Sequence, residues 1–228
     1  MAASVLRIGL EVFNLLENGY PAGALARCRT LHELSVSAWV LSEYGRRPGL
    51  ESLGPRYMAH ADARGCDKAQ TWVKAGSGSH FDDAELARLY ERQNAAVRAF
   101  GGSLKRDWGW AIPLFDNVND CTFAALEQLA DLSQLRGHFS YASNHVHGGT
   151  EAVLLNLADE GSGEYMVVNA TLEGFGLPLD MARFAMASTT AALIAGTATD
   201  DSPKPSATVL LYALDALLDD SDEPGGGV

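Results

Sequence analysis

The chain has 228 residues, of which 47% are hydrophobic and 20% charged. This composition is typical of a soluble protein with a hydrophobic core. It excludes a disordered chain, a collagen and a coiled coil. The net charge of −12 is unevenly distributed: residues 1–106 carry 14 basic and 11 acidic side chains, whereas residues 107–228 carry 3 and 18. An acidic half repels phosphate, so nucleic acid is disfavoured as a partner.

Helical periodicity dominates the first two thirds of the sequence. Apolar residues at helical spacing predict an amphipathic N-terminal helix, and proline, glycine or capping residues delimit the helices that follow. A capping box of Ser79 and Asp82 is expected to start one of them. The predicted helices cover residues 1–19, 22–44, 55–73, 79–100 and, after an irregular connection over 108–119, 120–147 with a break near Ser133.

A β-hairpin and two more helices are predicted for the remainder. Val- and Leu-rich segments at 151–158 and 164–173 flank a Gly-rich turn, as in a hairpin. Pro178 begins an Ala-rich helix to about residue 195, and Ser206 caps a last amphipathic helix. The predicted fold is mainly α: a single-domain helical bundle of about seven to eight helices with a small β-hairpin insertion.

The predicted organisation is a helical domain over residues 1–200, a C-terminal helix over 201–219 and a disordered acidic tail over 220–228. The helix after Pro178 is apolar nearly all round, and a two-stranded hairpin needs its apolar face covered. These two features leave a homodimer open, since one subunit of this size could also cover both within itself.

Cysteine usage and hydropathy predict a cytoplasmic protein without a membrane segment. The three cysteines are widely spaced and form no C-x-x-C pair, which argues against a disulfide framework and a zinc ribbon. Charged residues interrupt the apolar positions of residues 1–19, so this segment is not read as a secretory signal. The longest uncharged stretch, residues 184–199, is shorter than the ~20 apolar residues of a spanning helix.

Three helical segments place polar side chains together on one face. Segment by segment, these residues are Arg29 with Glu33, Tyr57 with His60 and Arg64, and Arg136 with Ser140, Ser143 and His147. In a single bundle the three stripes would converge on one buried polar cluster. A buried Glu33 would then have to pair with Arg29, His60 or His147.

Two interpretations of this cluster stay open. As an acid–base or ligand-binding site, it has His147, Glu33, His60 and Arg136 as candidate catalytic residues, and Arg29, Tyr57 and Ser143 as candidate binding residues. A histidine held by a carboxylate can exchange a proton near neutral pH. The alternative is a structural hydrogen-bond network that sets the register of the helices.

No metal or cofactor is predicted. His145 and His147 are two residues apart and point to different faces of a helix. The sequence contains no Walker loop, no G-x-S-x-G elbow and no G-x-G-x-x-G turn after a strand. Trp108 and Trp110, next to Lys105 and its neighbour Arg106, could form a stacking platform, but indole rings in a buried connection favour core packing.

The polar segments, in their order, resemble the bacterial domain-of-unknown-function family DUF5677. The matching pieces are Arg29-Thr30-Leu31-His32-Glu33, the R-Y-x-x-H segment Arg56-Tyr57-Met58-Ala59-His60, the connection Trp108-Gly109-Trp110, and the helix end from Tyr141 to His147 with Ser143 and His147 as the matching residues. The resemblance covers roughly residues 20–200. It implies an α-helical fold and no assigned reaction.

A more distant resemblance is to HEPN-type helical domains, several of which are ribonucleases of toxin or phage-defence systems. Their catalytic helix carries an Arg, four to six residues and then a His. Here eight residues separate Arg136 from His145 and ten separate it from His147. The sequence therefore predicts a binding or regulatory module in defence or stress, which acts on an unknown ligand or protein partner. The alternative is a metal-independent ribonuclease of HEPN type. Whether the protein is an enzyme stays open.

Overall fold

Alpha-helices make up most of the described chain. The computed structural model describes residues 1–76, 81–147, 150, 157–159, 164–166 and 170–197. In chain order its α-helices are Ala2–Glu17 (α1), Pro21–Tyr44 (α2), Leu53–Lys74 (α3), Asp83–Phe100 (α4), Phe123–Leu129 (α5), Arg136–His147 (α6) and Gly176–Thr197 (α7). Short 3-10 helices cover Gly102–Lys105, Gly109–Leu114 and Ser133–Leu135. The prediction of a mainly α fold is confirmed.

The chain divides into two compact units. Unit 1 comprises Met1–Glu43 and Ala130–Val228, and unit 2 comprises Tyr44–Leu129. This division differs from the single bundle predicted from the sequence. Periodicity shows which face of a helix is apolar, but it does not show which element covers that face. In unit 2, α3 is covered by α4 and by the 3-10 helices Gly102–Lys105 and Gly109–Leu114, all from the same stretch of chain.

The core of unit 1 is formed where α1 packs against α7. Residues of α1 spaced by three or four are buried, as the amphipathic pattern predicts. The core residues of α1, α2 and α7 are Val5, Ile8, Val12, Leu16, Ala24, Cys28, Leu31, Ala182 and Ala185. A Cβ on Gly9 would lie 2.5 Å from the Met186 Sδ atom. The small residues therefore allow α1 and α7 to approach closely.

Two buried contacts show that α2 and α7 run parallel. The Cys28 thiol donates to the Pro178 carbonyl at 3.2 Å, and the Ser42 hydroxyl donates to the Ala192 carbonyl at 2.6 Å. Both pairs are separated by 150 residues in the sequence. Since the offset is the same near both ends, the two helices keep one register along their length.

In unit 2 the helix ends follow their capping chemistry. The Asp82 carboxylate accepts the Glu85 N–H at 2.7 Å, and the Glu85 carboxylate accepts the Asp82 N–H at 3.1 Å. The predicted capping box of Ser79 and Asp82 is therefore wrong. The same three-residue spacing fits both pairs, and only the second supplies the Glu that bonds back to the cap. Gly101, with φ 84°, ends α4 as expected.

The segment between α5 and α6 crosses from unit 2 to unit 1. Helix α5 ends at Leu129, and a 3-10 turn at Ser133–Leu135 precedes α6. Asp131 adopts a positive φ of 55°, which no continuous helix could contain. The predicted break near Ser133 is thereby confirmed.

Two three-residue strands, Leu157–Asp159 and Glu164–Met166, pair antiparallel. The predicted second strand reached Glu173, but residues 170–173 are not in a strand, and the Thr171 N–H donates to the Gly19 carbonyl of the loop before α2 at 2.9 Å. The rest of the predicted hairpin, the C-terminal helix over 201–219 and the tail over 220–228 lie outside the described residues. Within the described residues, every helix is too short or too polar to cross a bilayer.

Candidate functional site

In unit 1, Arg29 of α2 lies between Glu33 and His147. Its Nη2 atom is 3.3 Å from the Glu33 Oε1 atom, and its Nη1 atom is 3.3 Å from the His147 Nε2 atom at the end of α6. A guanidinium has donors only, so the His147 Nε2 atom is the acceptor in this contact. Of the three partners that the sequence left open for Glu33, the structure supplies Arg29.

Phe139 of α6 lies beneath these polar groups. The Arg29 guanidinium is 5.2 Å from the centre of the Phe139 ring and the Arg136 guanidinium is 5.6 Å from it. Aromatic rings attract cations at such distances. We call Arg29, Glu33, Arg136, Phe139 and His147 the α2–α6 cluster. The side chains of Arg29 and Glu33 are 27% and 29% exposed, so the cluster is half-buried rather than buried as predicted.

Burial and hydrogen bonding set the chemistry of the α2–α6 cluster. Burial raises the pKa of the Glu33 carboxyl, and the Arg29 charge opposes this shift. The Arg29 Nε atom is buried and has no hydrogen-bond partner in the described part of the chain. Ser143, a predicted binding residue, donates to the Phe139 carbonyl of its own helix at 2.9 Å. The cluster therefore places two guanidiniums and an imidazole around one carboxylate, that of Glu33.

The other predicted site residues belong to unit 2. Tyr57 packs edge-on against Trp110, with 5.2 Å between the ring centres. The His60 Nε2 atom donates to the Arg106 carbonyl at 2.8 Å. Burial, the largest effect, lowers the pKa of His60. The structure thus groups Arg29, Glu33 and His147 together, while Tyr57 and His60 contact the connection after α4.

Arg56 is the anchor of that connection. It is 7% exposed. Its Nε, Nη1 and Nη2 atoms donate to the carbonyls of Trp110, Phe100 and Gly109 at 3.1, 3.0 and 2.7 Å. A Cβ on Gly109 would collide with the carbonyl oxygens of the preceding 3-10 helix. The three residues Arg56, Tyr57 and His60 therefore hold the Trp108-Gly109-Trp110 connection in place.

An open cleft of about 560 Å³ lies beside this connection in unit 2. Trp108, Ile112, Val118 and Phe123 supply its apolar wall, and its polar residues include Lys105, Arg106, Asp107 and Asn119. The sequence predicted core packing for both Trp108 and Trp110, and the structure shows it only for Trp110. Trp110 is 1% exposed and belongs to the core, whereas Trp108 is half-buried and lines the cleft.

The thiol in the cleft is not an activated nucleophile. Cys121 donates to the Trp108 carbonyl at 3.2 Å. Burial raises its pKa to about 11, although Arg106 and Arg56 oppose the shift. A reactive thiolate needs a pKa near or below neutral. Within the described ranges, His, Cys, Asp and Glu side chains nowhere gather in a group of three or more that could bind a metal ion.

Sequence reasoning noted Lys105 and Arg106 beside the tryptophans but favoured core packing, and it missed Asn119. The available signal was the succession Lys105, Arg106 and Trp108, in which two cations adjoin an indole. Asn119 carried no such signal, because the turn that brings its amide to Arg106 follows from the fold and not from helical spacing.

Comparison with known proteins identifies the family and nothing beyond it. Residues 1–165 match the model of the Family of unknown function (DUF5677). Neither the curated proteins nor the solved structures give a significant match. The matched range includes Arg29, the R-Y-x-x-H segment, the Trp108-Gly109-Trp110 connection and His147. It ends at residue 165, whereas the sequence resemblance was expected to extend over roughly residues 20–200. The chain belongs to the DUF5677 family.

Proposed function

We propose that the protein is a cytoplasmic bacterial binding or regulatory module, active in defence or stress, whose α2–α6 cluster takes an anionic group of its ligand or partner. The observation that carries this proposal is Arg29, fixed between Glu33 and His147 and lying over Phe139. A guanidinium held in this way presents a planar fork of donors that suits a carboxylate or a phosphate.

The cluster presents cationic groups. The guanidiniums of Arg29 and Arg136 lie 5.2 and 5.6 Å from the centre of the Phe139 ring, and Glu33 pairs with Arg29. His147 adds no negative charge in either protonation state. The side chains of Arg29 and Glu33 are 27% and 29% exposed, so their charges stay accessible to a ligand.

A titration with inorganic phosphate and with acetate, at constant ionic strength, tests the proposal. Amide resonances of residues 29–33 and 136–147 should shift saturably in the wild type and lose this response in Arg29→Gln. The matched control is Arg27→Gln, which removes a guanidinium of the same helix that pairs with Glu11 at 2.6 Å. A saturable response that persists unchanged in Arg29→Gln, or is absent from the wild type, contradicts the proposal.

One observation favours a second candidate, a metal-independent ribonuclease of HEPN type. The 3.3 Å contact between Arg29 and His147 places a cation next to an imidazole, the two groups needed to hold a phosphate and to transfer a proton. The longer spacing from Arg136 and the acidic second half of the chain weigh against it. We rank it second for this reason.

Incubation of the purified protein with total RNA and with tRNA, beside a His147→Ala variant, tests the second candidate. Cleavage by the wild type that is lost in the variant supports a ribonuclease. Equal cleavage at background level by both proteins contradicts it.

A further inference from the structure

We propose that the cleft of unit 2 binds a small planar anion, an aromatic ring that carries one carboxylate or phosphate group. The cleft is distinct from the α2–α6 cluster, and its residues are close in sequence: Lys105, Arg106, Trp108, Asn119 and Phe123 line it. Its volume of about 560 Å³ falls within the ~300–1,000 Å³ of small-molecule sites.

The apolar wall of the cleft suits a flat ring. Trp108 and Phe123 are stacked, with 4.9 Å between the ring centres and 26° between the planes. Ile112 and Val118 extend this wall, and both are half-buried. A further ring that joins an existing stack gains offset-stacking energy and buries apolar area at the same time.

The polar wall identifies the charge of the ligand. Lys105 is paired with Asp67 at 2.7 Å, and Asp107 is paired with Arg64 at 2.8 Å. Arg106 instead donates from its Nη2 atom to the neutral Asn119 Oδ1 atom at 3.1 Å. This contact fixes the direction of the Arg106 guanidinium without neutralising its charge. An anionic group would supply the missing negative charge.

The backbone of this site is held before any ligand arrives. The carbonyls of four residues at the cleft accept side-chain hydrogen bonds from elsewhere in unit 2: Arg106 from His60, Trp108 from Cys121, and Gly109 and Trp110 from Arg56. Because the backbone is already ordered, binding a ligand here costs little conformational entropy. A small molecule can therefore bind with measurable affinity. The Cys121 thiol is occupied by the Trp108 carbonyl, which leaves the ring stack and Arg106 as the groups that contact a ligand.

Isothermal titration and the indole N–H resonance of Trp108 can test the proposal on the full chain. The probes are phenyl phosphate and benzoate, with phenol and inorganic phosphate as the two halves of the former. We expect saturable binding of at least one aromatic anion, tighter than that of phenol or of inorganic phosphate. Tighter binding of phenyl phosphate identifies a phosphate ligand, and tighter binding of benzoate identifies a carboxylate.

Two variants and one control make the test decisive. Arg106→Gln, at an exposed position, should weaken the Kd at least about tenfold, equivalent to ~1.4 kcal/mol. Trp108→Leu should abolish the advantage of the aromatic probe over phosphate. Arg92→Gln, which removes an exposed ion pair with Asp62 outside the cleft, should bind like the wild type.

The proposal is overturned if neither aromatic anion binds saturably at millimolar concentration. It is also overturned if Arg106→Gln, with its fold verified by circular dichroism, binds as tightly as the wild type. Because the Trp108 resonance reports on the cleft and the amide resonances of residues 29–33 and 136–147 report on the α2–α6 cluster, failure of this proposal and failure of the proposed function give different results.

Discussion

Replacing Arg56 by Met should destabilise unit 2 far more than a typical surface substitution does. Met keeps most of the aliphatic volume but removes the donors to the carbonyls of Phe100, Gly109 and Trp110. Hydrogen bonds to a charged group contribute ~1.5–3 kcal/mol each, and loss of one partner from a buried charged arrangement costs ~3–5 kcal/mol in total. Since the three bonds share one guanidinium and are not additive, we expect a loss of ~3–5 kcal/mol.

Urea unfolding of the full chain measures this loss. Trp fluorescence is the suitable signal, because three of the four tryptophans, at positions 72, 108 and 110, belong to unit 2. The matched control is Arg64→Met on the same helix. Arg64 is paired with Asp107, whose side chain is 81% exposed, so its removal should cost less than ~1 kcal/mol.

Arg56→Lys separates charge from geometry. Lysine keeps the positive charge but has one nitrogen in place of the three that now reach three carbonyls, so an intermediate loss is expected. The reasoning is refuted if Arg56→Met loses no more free energy of unfolding than Arg64→Met. If Arg56→Lys is as stable as the wild type, the claim that the three guanidinium nitrogens are needed to bond the three carbonyls is refuted.

Three further predictions concern a glycine and two titrating groups. Gly109→Ala should cost at least ~2 kcal/mol in urea unfolding because its Cβ collides with backbone oxygens, whereas Gly54→Ala, which meets no atom within 4 Å, should be near neutral. Burial raises the pKa of Glu33, so the stability of the wild type relative to Glu33→Gln should fall as the pH rises from below 4.5 through the folded pKa; a constant difference contradicts this. Burial lowers the pKa of His60, so the wild type should lose stability relative to His60→Gln as the pH falls below 6.5 through the folded pKa, and equal pH dependence of the two proteins would show that His60 titrates normally.

The helices were predictable because their evidence is local. The apolar spacing in α1, the breakers after α2 and Gly101 at the end of α4 each act within a few residues of their own position. Where two local signals competed, as at Ser79 and Asp82, the sequence could not choose between them. The choice depended on which pair forms the reciprocal hydrogen bonds, and in the structure Asp82 and Glu85 form them.

The partners of the polar residues were not predictable, because helical spacing shows a face and not its neighbour. Glu33 could be assigned three partners from the sequence, and only the packing of α2 with α6 placed Arg29 between it and His147. The residues of the cleft were even less predictable from the sequence. Its polar wall depends on the contact between Arg106 and Asn119, which joins two turns without periodicity.

The R-Y-x-x-H segment shows how a motif can point to the right place for the wrong reason. Tyr57 and His60 were predicted as site residues on α3, and Arg56 only as part of the family motif. All three contact the connection after α4: Arg56 through carbonyls, Tyr57 through the Trp110 ring and His60 through the Arg106 carbonyl. The polar side-chain atoms of Arg56 and His60 are thus committed to the backbone that shapes the cleft. Variants at Arg56 should therefore change the stability of unit 2 first and binding only as a consequence, whereas variants at Arg106 should change binding alone.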